Sequence, residues 1–206
     1  MLGVARLGLV DYAAALELQN AAVAARMRDE IGDTLILLEH PPVYTLGRGA
    51  DASYILDPPA EVPIYRVGRG GQVTFHGPGQ LVGYPIVKLT GVRRDGMTGV
   101  WAGPRKIGSI GVGIRRWVTL HGFALNVTTD LGYFDAIVPC GIEGCRMTSV
   151  AALGNSQVTV AEFADSFERC FATVFEYGQV RRMSVEDLED KREVVKERGT
   201  DSLLGS

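Results

Sequence analysis

Residues 66–85 read RVGRGGQVTFHGPGQLVGYP, and no helix can be threaded through them. Glycine in a helix interior costs about 1 kcal/mol relative to alanine and proline about 3 kcal/mol. The clusters Gly68–Gly71, Gly77–Gly79 and Gly83 leave only short runs between them. The run QVTFH alternates and is rich in β-branched and aromatic residues, the pattern of a short strand between turns. The 26 glycines of the chain concentrate between residues 47 and 154, which reads as loops wrapping a site rather than as low complexity. Glycine lets a ligand approach the backbone closely and leaves N–H groups able to point at it.

The flanking sequence alternates strand and helix signals. VARLGLV reads as a strand, after which Asp11 caps a helix to about Arg28 with Leu16, Ala22, Val23 and Ala25 on its apolar side. TLILLEH is a continuous apolar run of buried-strand length, and PVYTLG follows a Pro-Pro turn. Further strands are predicted at VPIYRV, GQVTFH, LVGYPIVKL, RKIGSIGVGI and WVTLHGFALNV. TTDLGYFDAI reads as a short helix or loop, and Thr159 to Glu162 as a capping box opening a helix to about Tyr177. The fold class expected is α+β: one domain over 1–180, a mixed or antiparallel sheet, and helices on one side. Residues 181–206 read as a charged C-terminal tail, an exposed helix or frayed segment.

A chain of 206 residues with 46% hydrophobic and 22% charged residues has the balance of a soluble globular domain. No apolar stretch is long enough to cross a bilayer, and MLGVARLGLV lacks the order of a secretion signal. With three cysteines and no export signal the expectation is a reducing compartment, the cytoplasm, with no membrane association. The net charge of −3 gives no pull toward nucleic acid. Arg93, Arg94, Arg105, Lys106, Arg115 and Arg116 nevertheless face only Asp95 between Gly91 and His121. That excess is either a solvated face or a docking surface for an acidic macromolecule.

Neither a G-x-x-x-x-G-K-[ST] nor a G-x-G-x-x-G pattern is present, so a nucleotide site is not supported. His40, His76 and His121 are isolated, and Cys140 and Cys145 lack C-x-x-C spacing, so no metal site is expected. The segment IVPCGIEGC is different, because a cysteine on a Pro/Gly-bracketed turn can bury little. Cys140 is either an incidental small residue or a nucleophile presented to a substrate. A nucleophilic thiol must be a thiolate, which needs a cation or base beside it. Of the 21 basic residues only Lys88, Lys106, Lys191 and Lys196 are lysines. Lys106, among glycines and aliphatics, is a candidate base, with His76 and His121 as competitors.

Taken in order, LLEHPPVYTLGRGAD, RGGQVTFHGPGQLVGYP, TGVW, RKIGSIGV, HGFALNV, IVPCGI and MTSV resemble the octanoyltransferases of lipoate biosynthesis, which are related in fold to the biotin and lipoate protein ligases. The resemblance runs from about residue 3 to 177. It implies Cys140 as the acyl-thioester nucleophile and Lys106 as the residue that activates it. It also implies an acyl pocket lined by Arg69, Gly70, Gly71, Gln72, Val73, Thr74, Phe75, His76, Ser109, Ile110, Gly111, Gly122, Phe123 and Ala124. No metal, ATP or organic cofactor is implied. An octanoyl or lipoyl group would arrive on acyl carrier protein. It would leave on a lysine of lipoyl domains, those of 2-oxoacid dehydrogenase acyltransferase subunits and the glycine cleavage H protein. One departure stands out: a family helix between LVGYPIVKL and GVRRDGMTGVW is missing, near 89–93, which should expose apolar surface. Two other readings remain at this point: an ATP-dependent lipoate or biotin ligase, and a non-catalytic module that binds acyl carriers.

Overall fold

The chain alternates strand and helix from its first residues, and the computed structural model describes residues 1–88, 99–154 and 157–188. β1 (Leu2–Leu9), α1 (Tyr12–Met27), β2 (Asp33–Glu39), β3 (Val43–Leu46), β4 (Ile64–Arg66), β5 (Val73–His76) and β6 (Gln80–Ile86) make up the first part. β7 (Val100–Ala102), β8 (Arg105–Arg115), β9 (Val118–Asn126), β10 (Arg146–Met147), α2 (Val160–Val174) and β11 (Val180–Met183) follow. The main sheet has the order β10-β8-β9-β6-β2-β1-β11 with β7 added on β8, and a second sheet has the order β4-β3-β5. Parallel and antiparallel pairs occur in both, so the mixed sheet expected of this α+β chain is present.

α1 begins where the Asp11 carboxylate accepts from the N–H groups of Ala13 (2.8 Å) and Ala14 (3.3 Å). Its alanine-rich sequence favours helix and lets it lie close to the sheet. It is the crossover between parallel β1 and β2, a connection too long-range for a hairpin. α2 begins with the capping box: Thr159 Oγ1 accepts from Glu162 N and the Glu162 carboxylate accepts from Thr159 N.

The two helices do not share a side of the sheet, contrary to the expectation from sequence. Ala15, Leu18, Ala22 and Val23 of α1 pack with Ile36, Leu38, Val82, Tyr84 and Ile86. Ala164 and Phe171 of α2, with Phe163 and Phe167, pack with Leu2, Val4, Leu35, Leu37 and Leu81. Successive residues of a strand point to opposite faces, so Leu35/Leu37 and Ile36/Leu38 of β2 serve different helices. Coverage on both faces is why β2 reads as an unbroken apolar run.

The expected boundary at 180/181 is not a break in the described structure. The junction at 180/181 falls inside β11, which pairs parallel with β1, and Leu188 beyond it is fully buried in the α1-side core. The expected loss of a helix near 89–93, together with Arg93, Arg94 and the residues after 188, lies outside the described residues.

The second sheet positions one turn. Tyr44, Leu46, Val73 and Phe75 pack against Phe134 and Ile137, and the Phe75 ring stacks on Tyr133 at 4.5 Å. Ile137 bridges Ile55, and Val138 N donates to Tyr54 O at 2.8 Å. The segment leading into Pro139-Cys140-Gly141 is thereby fixed to a rigid sheet. Among the described residues no helix is long and apolar enough to cross a membrane.

Candidate active site

Pro139–Gly141 is a single tight turn in which Gly141 N donates to Val138 O and Ile142 N to Pro139 O. Cys140 sits in it at φ 59°, ψ 14°, the left-handed region. For a residue with a Cβ this conformation costs about 1–2 kcal/mol. Strain of this kind persists where the surroundings over-determine it, and here it turns the thiol toward β8.

Lys106, second residue of β8, donates from Nζ to Cys140 Sγ at 2.9 Å, and Ser109 Oγ lies 3.7 Å from the same sulfur. Lys106 is only 2% exposed, and among the described residues no acidic side chain is paired with it. A buried ammonium must be compensated, and here the thiol and the face of Trp101, 5.5 Å from Nζ to the ring centroid, do it. The competing bases are held neutral by burial. His76 bonds through Nδ1 to Gln80 Oε1 at 2.7 Å, and burial depresses it to about 3. Burial, with help from the Arg69 charge, depresses His121 to about 4. Of the three candidates, Lys106 is the one that touches the thiol.

These groups open on a cavity of about 270 Å³, close to the lower bound of small-molecule sites at about 300 Å³. Arg69, Gly70, Gly71, Gln72, Val73, Thr74 and His76 line it from the glycine-rich stretch and β5. Ser109, Ile110 and Gly111 contribute from β8, and Gly122, Phe123 and Ala124 from β9. Phe75 does not line it. Strand alternation turns its ring into the small-sheet core beside Tyr133, away from the cavity. Tyr12, Val82, Tyr84, Trp101, His121 and Ile142 complete the wall, and sequence reasoning assigned none of them to the pocket. Only the placement of Trp101 in TGVW and of Tyr12 behind the Asp11 cap could have flagged two of them. Not every glycine serves a ligand either. A Cβ at Gly83 would meet the Phe123 ring at 2.1 Å, so that glycine makes room for the protein itself.

A continuous hydrogen-bond network stiffens the wall. Arg69 donates from Nη2 to the carbonyl oxygen (2.6 Å) and hydroxyl (2.9 Å) of Thr45, and from Nη1 to Gly70 O at 2.9 Å. Thr45 Oγ1 lies 3.4 Å from His76 Nε2. Gln80, which accepts from His76 Nδ1, donates to Phe75 O and Asn126 Oδ1, and Asn126 donates to Thr148 O. His40 donates from Nδ1 to Val10 O at 2.7 Å and accepts from the Tyr84 hydroxyl at 2.6 Å. Burial keeps it neutral, with a pKa of about 4.

The arginine excess of 91–121 is not one patch. Arg105, Arg115 and Arg116 are all exposed, but Arg105 and Arg115 end opposite tips of the 11-residue β8. At about 3.3 Å per residue they stand roughly 30 Å apart. Arg115 and Arg116 sit at the β8–β9 hairpin, whose two turn residues, Arg116 and Trp117, both have positive φ. Among the described residues no group of three or more His, Cys, Asp or Glu could hold a metal ion.

The family model of the lipoyl protein ligase A/B catalytic domain matches residues 11–95 and 90–172. The chain belongs to this family. An octanoyltransferase of Gloeobacter violaceus is 51% identical over 164 residues, covering 66% of this chain and 73% of that protein. An octanoyltransferase of Geotalea uraniireducens is 45% identical over 183 residues, covering 76% of this chain and 85% of that protein. Among solved structures, the bipartite lipoate protein ligase of Thermoplasma acidophilum superposes with a TM-score of 0.69 at 16% identity. That likeness covers 96% of this chain and 93% of that one. LipL1 of P. falciparum in complex with lipoate gives 0.71 at 12% identity, covering 95% of this chain and 68% of that one. At such low identity these two likenesses speak for the lipoyl ligase fold alone.

Proposed function

We propose that this chain is an octanoyltransferase that works through a Cys140 thioester, with Lys106 as its proton carrier. Its curated relatives at 42–51% identity are octanoyltransferases, and membership of the lipoyl protein ligase family supports lipoyl domains as the acceptors, in lipoate biosynthesis. The observation that supports the covalent route is the 2.9 Å contact between Lys106 Nζ and Cys140 Sγ in the wall of the cavity. The donor in this reading is octanoyl-acyl carrier protein. The acceptors are the lipoyl domains of 2-oxoacid dehydrogenase acyltransferase subunits and the glycine cleavage H protein.

The steps balance without ATP. Cys140 thiolate attacks the thioester carbonyl, a new S–C bond forms, and the bond to the carrier sulfur breaks as Lys106 gives that sulfur its proton. The acceptor lysine amine then attacks the Cys140 thioester. An amide forms, Cys140 leaves as thiolate, and neutral Lys106 takes the proton shed by the amine. The starting ion pair is restored. Placement in the cytoplasm is part of the proposal and rests on three unpaired cysteines, Cys140, Cys145 and Cys170.

Intact-protein mass spectrometry after mixing with octanoyl-acyl carrier protein tests the reading. One octanoyl group is expected on the parent and on Cys145→Ala and Cys170→Ala, and none on Cys140→Ala. Transfer by Cys140→Ala at the parental rate would overturn it, because the acceptor amine would then attack the carrier directly. Release of pyrophosphate from ATP with free octanoate would point instead to ligase chemistry.

A further inference from the structure

Lys106 has an unusual set of neighbours for a buried ammonium. It carries three N–H donors, yet among the described residues its one hydrogen-bond partner is Cys140 Sγ. Trp101 is its register partner on the adjacent strand β7 and presents its ring at 5.5 Å from Nζ. That lies within the ~6 Å at which a cation is attracted to a ring face. On another side the chain runs past as bare backbone. A Cβ at Gly99 would sit 2.9 Å from Lys106 Cε and 3.2 Å from Nζ, and φ at Gly99 is +145°. No larger residue fits there without moving the ammonium. Trp101 is 39% exposed and forms part of the cavity wall.

We propose that Trp101 is a positioning residue for the transfer reaction. Its ring face, with the close backbone of Gly99, holds the Lys106 ammonium against Cys140 Sγ. The inference rests on the Cys140/Lys106 reading and adds to it the device that sets the pair's geometry and charge. Losing the ring face removes a contact that favours ammonium over neutral amine, so the thiolate–ammonium pair gives way to thiol and amine. Among the described residues, Cys145 and Arg69 are charged or titratable groups whose fields reach the pair. Burial and the neighbouring Cys140 raise the Cys145 thiol, and Arg69 is a constant cation.

The test is alkylation of Cys140 by iodoacetamide across pH, followed at that cysteine by peptide mass spectrometry, in the purified full chain. The small reagent needs no acyl pocket, so a change in wall shape alone does not move the result. Trp101→Leu keeps an apolar wall without a π face. Its Cys140 titration is expected to shift upward and its alkylation near neutral pH to fall about 2- to 30-fold, the range a cation–π contact covers. Trp101→Phe, with a smaller ring, should lose less. In acyl loading the loss should fall on kcat rather than KM. Gly99→Ala is an independent variant and should shift the titration in the same direction by displacing the ammonium. A parental profile in Trp101→Leu, or in Gly99→Ala should the Leu variant fail to fold, overturns the proposal. A parent whose Cys140 titrates like free cysteine overturns the dyad reading itself, and is a different result.

Discussion

Arg69 and Lys106 are both cations buried in the wall of one cavity, and the protein holds them differently. Arg69 is fixed by Thr45 and Gly70 within a network that runs on to Thr148. Among the described residues Lys106 has one hydrogen bond, to a thiol, and one ring face. A guanidinium cannot give up its proton in a protein, so tying it down fully costs no chemistry. An ammonium that must lose and regain a proton in each cycle is better left with few fixed acceptors. Where the side chains are densely hydrogen-bonded the wall is stiff, and where they are not it can react.

The largest expected effect breaks the reactive half of this comparison. Lys106→Arg keeps a positive charge but removes the proton carrier. Both acyl loading and transfer to a lipoyl domain should fall by about 10²–10⁴-fold. Stopped-time mass spectrometry of each half-reaction measures this, and a parental rate in either would assign Lys106 a purely electrostatic role there. Lys106→Ala should lose the same catalysis and also raise the apparent thiol pKa of Cys140.

Acid tests the stiff half. Burial depresses His40 and His121 to about 4 and His76 to about 3, against 6.5 in the unfolded chain. For a group whose folded pKa is depressed, its stability contribution is complete above the unfolded value and is lost as pH falls through the folded value. Between about pH 6.5 and 4 the unfolded chain therefore binds up to three more protons than the folded one through these residues. The denaturant midpoint should decline steadily across that window. A midpoint unchanged from pH 7 to pH 5 would mean that these histidines are not held neutral.

A smaller effect separates the two halves. Gln80→Leu leaves His76 Nδ1, Phe75 O and Asn126 Oδ1 without their partner. The cost should be about 1–3 kcal/mol of stability per buried group left unsatisfied, read from urea unfolding. The pH profile of Cys140 alkylation should stay where it is. A shifted profile would show that the network also sets the reactive pair.

Arg115 and Arg116 extend the comparison to cations that are not buried at all, at the hairpin tip far along β8 from Lys106. If they steer an acidic carrier, charge reversal at both should slow acyl loading by up to about tenfold at low ionic strength and flatten its salt dependence. Unchanged loading at low and high salt would mark the tip as merely solvated.

The elements themselves were legible. Asp11 and the Thr159/Glu162 box marked both helix starts, and the apolar alternation between glycine clusters marked the strands. Cys140 and Lys106 stood out through a Pro/Gly-bracketed turn and a scarcity of lysine. Their 2.9 Å contact was not legible, since 34 residues separate them and only the β8–β10 pairing and the second sheet close that distance. That the Phe75 ring packs in the small-sheet core was not legible either, because a contiguous motif does not say which of its residues face the cavity.

By itself the sequence determined the α+β class, the positions of caps and turns, and which residue types could support thioester chemistry. Those properties follow from local backbone sterics and side-chain chemistry. Which sheet face each helix covers was decided only by the tertiary structure, since burial patterns of a strand covered on both faces do not distinguish them. The left-handed conformation of Cys140 and the enclosure of Lys106 by Trp101 and Gly99 were likewise tertiary outcomes. Each depends on segments distant along the chain being packed together, and no local propensity encodes that.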